Sequence, residues 1–376
     1  MKKAISFVCV FIIMLNACVF AKAEAELAIE APSAILIEKT SGKVIYEKDA
    51  DQKMRPASVT KIMTLLLIME AIESGVYGYN DIVTVSAYAT SMGGSQVYLK
   101  EGEKFTVDDM IKCIAVASAN DCCVAMAEFT SGSAEAFVTK MNSRAKELGM
   151  NNTEFKNCTG LDAEGHLTTA RDISIMSQQL LKHDDIKKYT GIWTDSIRDG
   201  SFGLTNTNKL IRFYDSATGL KTGYTSASGY CISATAEQNG MELIAVVMAA
   251  KTSDSRNSDA KAMLNYGFSK HEIFTPDLPK LDTVKVIKGK QDEIVPITKG
   301  VVSAIVEKGK KDDAEYEVTL CRDVEAPVEK GQKLGEIKIT LDGKEIAKTD
   351  IVCDKSIKRA GVFDIFLKIL YYFLMV

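Results

Sequence analysis

The stretch Arg55-Pro56-Ala57-Ser58-Val59-Thr60-Lys61, followed at once by the apolar run Ile62 to Met69, constrains this chain more than any other. Pro56 restricts the residue before it and suits the edge of a helix, so the sequence predicts a helix starting near Ala57. On that helix Ser58 and Lys61 share one face, one turn apart. A hydroxyl beside an amine at a helix N-terminus is a nucleophile with its own base. A neutral lysine takes the serine proton, and the terminal N–H groups favour negative charge developing on oxygen. The spacing alone is not specific, because Ser143-Arg144-Ala145-Lys146 has it too and reads as the polar face of another helix.

With 376 residues the chain has room for a full-sized domain and a smaller one. Its net charge of −4 is spread along the sequence, and no basic stripe with interleaved aromatics points to nucleic acid. Lys2 and Lys3, the apolar residues Ala4 to Phe20, and Ala21-Lys22-Ala23 read as an export signal cut after Ala23 or Ala25. Lipid attachment at Cys18 is the alternative, since Leu15-Asn16-Ala17-Cys18 approximates a lipobox in which Asn16 fits poorly. The working part of the chain is expected outside the cytoplasm.

Of the nine cysteines, Cys9 and Cys18 fall in the signal, leaving Cys113, Cys122, Cys123, Cys158, Cys231, Cys321 and Cys353. An odd number leaves at least one thiol free or paired between chains. Cys113, Cys122 and Cys123 sit among Ile, Ala, Val and Met and read as small buried hydrophobes, so free structural thiols are expected. No spacing fits a zinc site, and His166, His183 and His271 form no ligand pair, so neither metal nor cofactor is expected.

Along the chain, Ala34 to Lys39 and Val44 to Lys48 read as a hairpin around Thr40-Ser41-Gly42-Lys43. The Ser58 helix is expected to end at Ser74-Gly75. Thr106 or Asp108 caps a helix through Ala117, Ser118-Ala119-Asn120-Asp121 interrupts it, and helices Cys122 to Phe129 and Ser133 to Leu148 follow. The polar segment from Asn151 to Asp172 reads as a functional loop. After a helix from Ile173 to Leu181, strands are expected at Leu220 to Thr225, Gly229 to Ala236 and Met241 to Ala250, with Asn239-Gly240 as a hairpin turn. Asp254 to Phe268 closes this part as a helix. From Pro276 to Val352 only short alternating runs remain, which predicts an all-β spacer domain over 275–355. The last segment, 356–376, becomes almost wholly apolar, with Asp364 and Lys368 on one helical face. It is too short to cross a hydrocarbon core of about 30 Å comfortably and reads as a helix lying in a membrane interface.

Two further motifs give the Ser58–Lys61 pair its meaning. Ser118-Ala119-Asn120 lies in a turn, and a second Ser-x-Asn at Ser255-Arg256-Asn257 shows how little it says alone. Lys221-Thr222-Gly223 occurs once, on an expected strand where Gly223 lets another backbone approach. Ser-x-x-Lys, then Ser-x-Asn, then Lys-Thr-Gly, in that order, resembles the signature of the penicillin-recognising serine enzymes. Pro56-Ala57-Ser58-Val59-Thr60-Lys61-Ile62-Met63-Thr64 resembles in particular the low-molecular-mass D-alanyl-D-alanine carboxypeptidases, peptidase family S11. So do Gly160-Leu161-Asp162-Ala163-Glu164-Gly165-His166, Thr169-Ala170-Arg171-Asp172 and Thr218 to Thr225. The resemblance covers nearly the whole chain.

It implies an α/β (α+β) fold: a β-lactamase/transpeptidase-like antiparallel sheet flanked by helices over 24–274, plus the small all-β C-terminal domain and the C-terminal amphipathic helix. It implies Ser58 as nucleophile and Lys61 as its base, neutralised by desolvation and the charge of Lys221. Ser118 would relay the proton, Asn120 would hold the substrate amide, and Lys221, Thr222 and Gly223 would bind at the terminal carboxylate. The backbone N–H groups of Ser58 and Tyr224 would hold the oxyanion. Many relatives have histidine where Tyr224 stands. The implied partners are a peptidoglycan pentapeptide ending in D-Ala-D-Ala, β-lactam antibiotics as covalent inhibitors, and the outer face of the cytoplasmic membrane. Arg256 reads either as added charge near the carboxylate or as a solvated helix arginine, His166 as ordering its loop, and Trp193 as packing or surface.

Two alternatives stand beside this reading. A serine β-lactamase would use a loop glutamate, and Glu154 lies in the right region, but its spacing to Asn157 is one residue short of that family's. A non-catalytic wall-binding scaffold would have no need of both Ser58 and Lys61.

Overall fold

The structure is a computed structural model that describes residues 27–278 and 280–374. The export signal and the Cys18 alternative lie outside the described residues.

Five strands form the central antiparallel sheet: β1 (Ser33–Glu38), β2 (Val44–Lys48), β3 (Ala217–Thr225), β4 (Gly229–Gln238) and β5 (Met241–Ala250), in the order β2-β1-β5-β4-β3. Helices cover both faces, which is why β5 reads as a continuous apolar run from Leu243 to Ala250 rather than an alternating one. The β4–β5 turn is the expected one: Asn239 and Gly240 both adopt left-handed φ, +49° and +77°, as a two-residue hairpin requires.

Helix α1 (Lys61–Glu73) lies in the middle of the helical layer and is buried from Lys61 through Met69. A helix apolar all round has nowhere else to go. Around it pack α2 (Val107–Val116), α3 (Asn120–Ser131), α4 (Ala134–Glu147) and α5 (Ala170–Leu180). Thr106 caps α2 by accepting from Asp109 N, with Asp108 and Asp109 in its first turn. Helix α5 begins at Ala170 rather than Ile173, because Thr169 caps it. On the opposite face α6 (Ser253–Lys270) packs Ala260, Met263, Leu264 and Phe268 against Ile232, Ala234, Leu243 and Ala245.

The β-rich part behind α6 contains a four-stranded antiparallel sheet and a three-stranded sheet. Its hydrogen bonding reaches back to His271–Phe274, which pairs with Ala304–Glu307, ahead of the 274/275 boundary. Ile305 enters the apolar cluster under α6. The last helix, α7 (Val362–Leu374), turns Asp364 to Lys290 (3.2 Å) and Lys368 to Asp292, so the two charges do share a face. Its apolar residues, Phe363, Phe366, Tyr371 and Phe373 among them, are exposed. Among the described residues no helix is long and apolar enough to cross a membrane.

Candidate active site

Pro56 ends the approach to α1, and the first turn, Ala57–Thr60, is a 3₁₀ turn rather than the α-helical start expected. Ala57 holds φ at +48°, a strained value for a residue with a side chain. Two glycines make this turn possible. A Cβ on Gly160 would fall 1.8 Å from Ala57 O, and one on Gly223 would fall 2.9 Å from Ser58 N and 2.8 Å from Pro56 O. The edge strand β3 and the 157–161 loop thus close on the serine from two sides, and only glycine permits it.

Ser58 is half-buried, whereas Lys61 is fully buried. Lys61 Nζ donates to Ser58 Oγ (2.8 Å), Asn120 Oδ1 (2.7 Å) and Thr159 O (2.6 Å). Two of these partners only accept, so they fix two N–H bonds and aim the remaining position of the nitrogen at Ser58. In the neutral amine that position is the lone pair. Burial lowers the Lys61 pKa and so favours this form, against the pull of Cys123, Cys158 and Asp121.

Lys221, on β3, is equally buried, with Nζ donating to Thr222 O (3.0 Å). Its pKa is pushed well below the usual value by burial first and by the charge of Lys61 second. Burial is the leading cause at both amines, and the repulsion between Lys61 and Lys221 is mutual, so each disfavours the charged form of the other. Thr222 Oγ1 donates to Thr207 Oγ1 (2.7 Å).

Ser118 and Asn120 stand at the break between α2 and α3. Ser118 adopts φ of +61°, is 3% exposed, and its hydroxyl has no partner among the described residues. A buried hydroxyl left unpaired costs about 1–3 kcal/mol, which a bound group would relieve. Asn120 Nδ2 donates to Gly93 O (2.7 Å), so its amide is held at both ends. Tyr224, directly after Gly223, is half-exposed and stacks on Tyr230 (4.3 Å between centroids).

Arg256 is not a solvated helix arginine. It is 4% exposed, its guanidinium lies 5.9 Å from the Tyr230 ring centroid, and burial lowers its pKa to about 10. His166 does order its loop: Nδ1 accepts from Lys156 N (3.2 Å), which leaves Nε2–H to donate to Thr60 Oγ1 (2.9 Å). Burial pushes its pKa down to about 4, so the ring is neutral. Trp193 packs edge-on against Phe213. The seven cysteines of the described residues are all free. Burial raises the Cys123 pKa to about 11 and raises Cys158 too, so neither competes with Ser58 as a nucleophile.

Glu154 pairs with Lys156 at the surface, its side chain 59% exposed, so it is not placed to activate a water at Ser58. Sequence reasoning missed the carbonyls of Thr159 and Gly93, which no residue type announces. It also missed Asn157, whose Oδ1 accepts from Thr159 N (3.1 Å) and Gly160 N (2.7 Å) and shapes the turn that delivers Thr159 O. An Asn three residues before Gly was the available signal.

A half-buried serine aimed at by a buried amine, at the start of a helix and beside an edge strand, is equipment for acyl transfer through a serine ester. The sheet, the helical layer and the three motifs together place the protein in the class of penicillin-recognising serine enzymes. Within that class, the D-alanyl-D-alanine carboxypeptidase family matches residues 20–252, and the penicillin-binding protein 5 C-terminal domain matches residues 268–359. The chain belongs to the D-alanyl-D-alanine carboxypeptidase family and is a serine-type hydrolase. It is 47% identical to D-alanyl-D-alanine carboxypeptidase DacF of Bacillus subtilis (strain 168), over 92% of this chain and 90% of that one. Penicillin-binding protein 5 from Haemophilus influenzae superposes with a TM-score of 0.73 at 28% identity, covering 88% of this chain and 98% of its own. Penicillin-binding protein D2 from Listeria monocytogenes, solved in its cefotaxime-bound form, gives 0.59 at 29% identity over 64% of this chain and 98% of its own.

Proposed function

We propose that this protein removes the terminal D-alanine from peptidoglycan stem peptides through an acyl-enzyme on Ser58. The observation that carries the reading is the cage around Lys61, which directs a buried amine at a reachable hydroxyl. Lys61 takes the Ser58 proton as Ser58 Oγ attacks the D-Ala–D-Ala carbonyl. The oxyanion rests on the backbone N–H groups of Ser58 and Tyr224, and Ser118 passes a proton to the leaving D-alanine. Asn120 holds the acyl-side amide. Lys221 and Thr222 take the terminal carboxylate, with Gly223 allowing the close approach, and this anchoring of a chain end favours a carboxypeptidase over an endopeptidase. Water then cleaves the ester. A β-lactam enters the same path and stays longer, which fits the cefotaxime complex of the Listeria relative.

In this reading residues 1–23 are an export signal, 24–274 the catalytic domain, 275–355 a spacer, and 356–376 an anchor. The exposed apolar side of α7 lies in the outer leaflet of the cytoplasmic membrane while Asp364 and Lys368 face the spacer. The test follows D-alanine release and penicillin turnover by wild type and Ser58→Ala. Release that vanishes in the variant, with penicillin retained for many minutes by wild type, is the expected result. Rapid penicillin turnover without release supports a β-lactamase instead, and neither reaction from folded protein supports a scaffold. Deleting 356–376 is expected to abolish co-sedimentation with vesicles and leave D-alanine release unchanged.

A further inference from the structure

Asp121 directly follows the Ser118-Ala119-Asn120 motif, is fully buried, and has no part in the steps above. Its carboxylate accepts from Val97 N (3.1 Å), Leu99 N (3.1 Å) and Cys122 N (3.0 Å). Among the described residues its hydrogen-bond partners are all backbone N–H groups, which suits a group that only accepts. A carboxylate out of water with no cation bonded to it is disfavoured. Part of the compensation comes from Lys61, whose pKa Asp121 raises against the effect of burial.

The segment that Asp121 pins, residues 92–100, has no helix or strand of its own. It is tied to the motif at two more points. Ser95 O accepts from Asn120 N (2.7 Å), and Gly93 O accepts from Asn120 Nδ2 (2.7 Å). Arg198 adds donors to Val97 O (2.9 Å) and Tyr98 O (3.1 Å). Tyr98, between these anchors, adopts φ of +56°, a strain that persists only where the surroundings over-determine it. The Gly93 bond decides which way the Asn120 amide faces. With Nδ2 on that carbonyl, Oδ1 is left for Lys61 Nζ (2.7 Å). A flipped amide would turn its NH2 to Lys61 and remove one of the two acceptors that aim the lone pair at Ser58.

We infer that Asp121 is a positioning residue for acylation: it seats the 93–99 loop so that Gly93 O keeps Asn120 Oδ1 on Lys61. Its charge acts on the same amine. The groups that act on Lys61 are Lys221 from β3, Cys123 and Asp121 from α3, and Cys158 from the 157–161 loop. Burial raises the pKa of both thiols, so near neutral pH Asp121 supplies the one opposite charge of the four. With burial, it sets the pH at which Lys61 becomes a free base. The inference rests on the roles that the carboxypeptidase reading gives Lys61 and Asn120.

The test follows penicillin acylation of the full chain against pH by rapid-quench mass spectrometry, beside D-alanine release. It compares wild type with Asp121→Asn and Gly94→Ala, each checked for folding by denaturant unfolding. In Asp121→Asn the amide keeps the size, loses the charge and turns a donor toward a backbone N–H. The plateau rate of acylation is expected to fall about 10- to 100-fold as Asn120 loses its seat. The rising limb of the profile should also move to lower pH, because a charge that favoured the ammonium is gone. Gly94→Ala keeps that charge and disturbs the seat, since its Cβ would lie 2.8 Å from Asn120 Nδ2. It should slow acylation with the pH profile in place. Acylation at the wild-type rate in either folded variant overturns the inference, and so does an Asp121→Asn profile that keeps the wild-type midpoint. If Asp121→Asn does not fold, Gly94→Ala decides: slowed acylation supports the seat, and the wild-type rate overturns it. Wild type that is acylated but releases no D-alanine overturns the carboxypeptidase reading alone, and wild type that does neither overturns both.

Discussion

The Ser-x-x-Lys spacing recurs along the chain, at Ser58, Ser143 and Ser258, and the contrast between the first two copies shows what makes one of them a site. In Ser58 to Lys61 the lysine is fully buried, capped by two fixed acceptors and turned to the serine. In Ser143 to Lys146 both side chains are exposed, and Ser143 Oγ bonds back to Thr139 O of its own helix (3.1 Å). Helical geometry sets the two pairs on one face in both places. What differs is the desolvation that makes an amine basic toward a hydroxyl, and the neighbours that leave its lone pair only one direction.

The largest expected effect separates the two serines. Ser58→Ala should lower D-alanine release by a factor on the order of 10⁴ or more, whereas Ser143→Ala should leave it unchanged. Equal losses would erase the distinction. The lysines should separate in the pH profile of acylation. A lowered Lys61 pKa means that the reactive neutral form gains with rising pH, so the acylation rate should climb about tenfold per pH unit below that pKa and then level off. Lys146→Met should not move this profile, and Lys61→Arg should abolish acylation because a guanidinium keeps its proton.

Two glycines carry the contrast into stability. Gly160→Ala drives a Cβ into Ala57 O and should cost about 3–5 kcal/mol in denaturant unfolding. Gly149→Ala, just past the helix that bears Ser143, meets nothing within 4 Å and should cost only its left-handed strain, about 1 kcal/mol. His166 offers a smaller and pH-dependent effect. Its folded pKa of about 4 lies below the unfolded value of about 6.5, so the unfolded chain binds the extra proton between them. Its contribution is complete above pH 6.5 and is lost as pH falls toward 4, by about 3 kcal/mol. His166→Gln should flatten that part of the stability profile; an unchanged slope would place the protonation elsewhere.

Much of this contrast was legible in the sequence, and the illegible part has a physical cause. Strand β5 and the Asn239–Gly240 turn follow from local pattern, and so do the cap at Thr106 and the order of the three motifs. The ambiguity of Ser-x-x-Lys was visible too, because spacing encodes a shared face and nothing about solvent. The Thr194–Ile197 and Phe202–Thr205 hairpin was not foreseen, nor was the pairing of His271–Phe274 with Ala304–Glu307. Short strands take their identity from a partner, and the latter partner is distant in the chain. Arg256 stayed open between a charge near the carboxylate and a solvated helix arginine, because its contact with the Tyr230 ring joins residues distant in the chain. The carbonyls of Thr159 and Gly93 belong to the backbone, and no residue type marks them.

The most direct test of the claim that burial, not spacing, makes the nucleophile is to label the full chain with penicillin and locate the adduct by proteolysis and mass spectrometry. The account predicts a single penicilloyl group, carried on the peptide containing Ser58 and lost in Ser58→Ala. An adduct on the Ser143 peptide, or on several serines in proportion to their exposure, would contradict it.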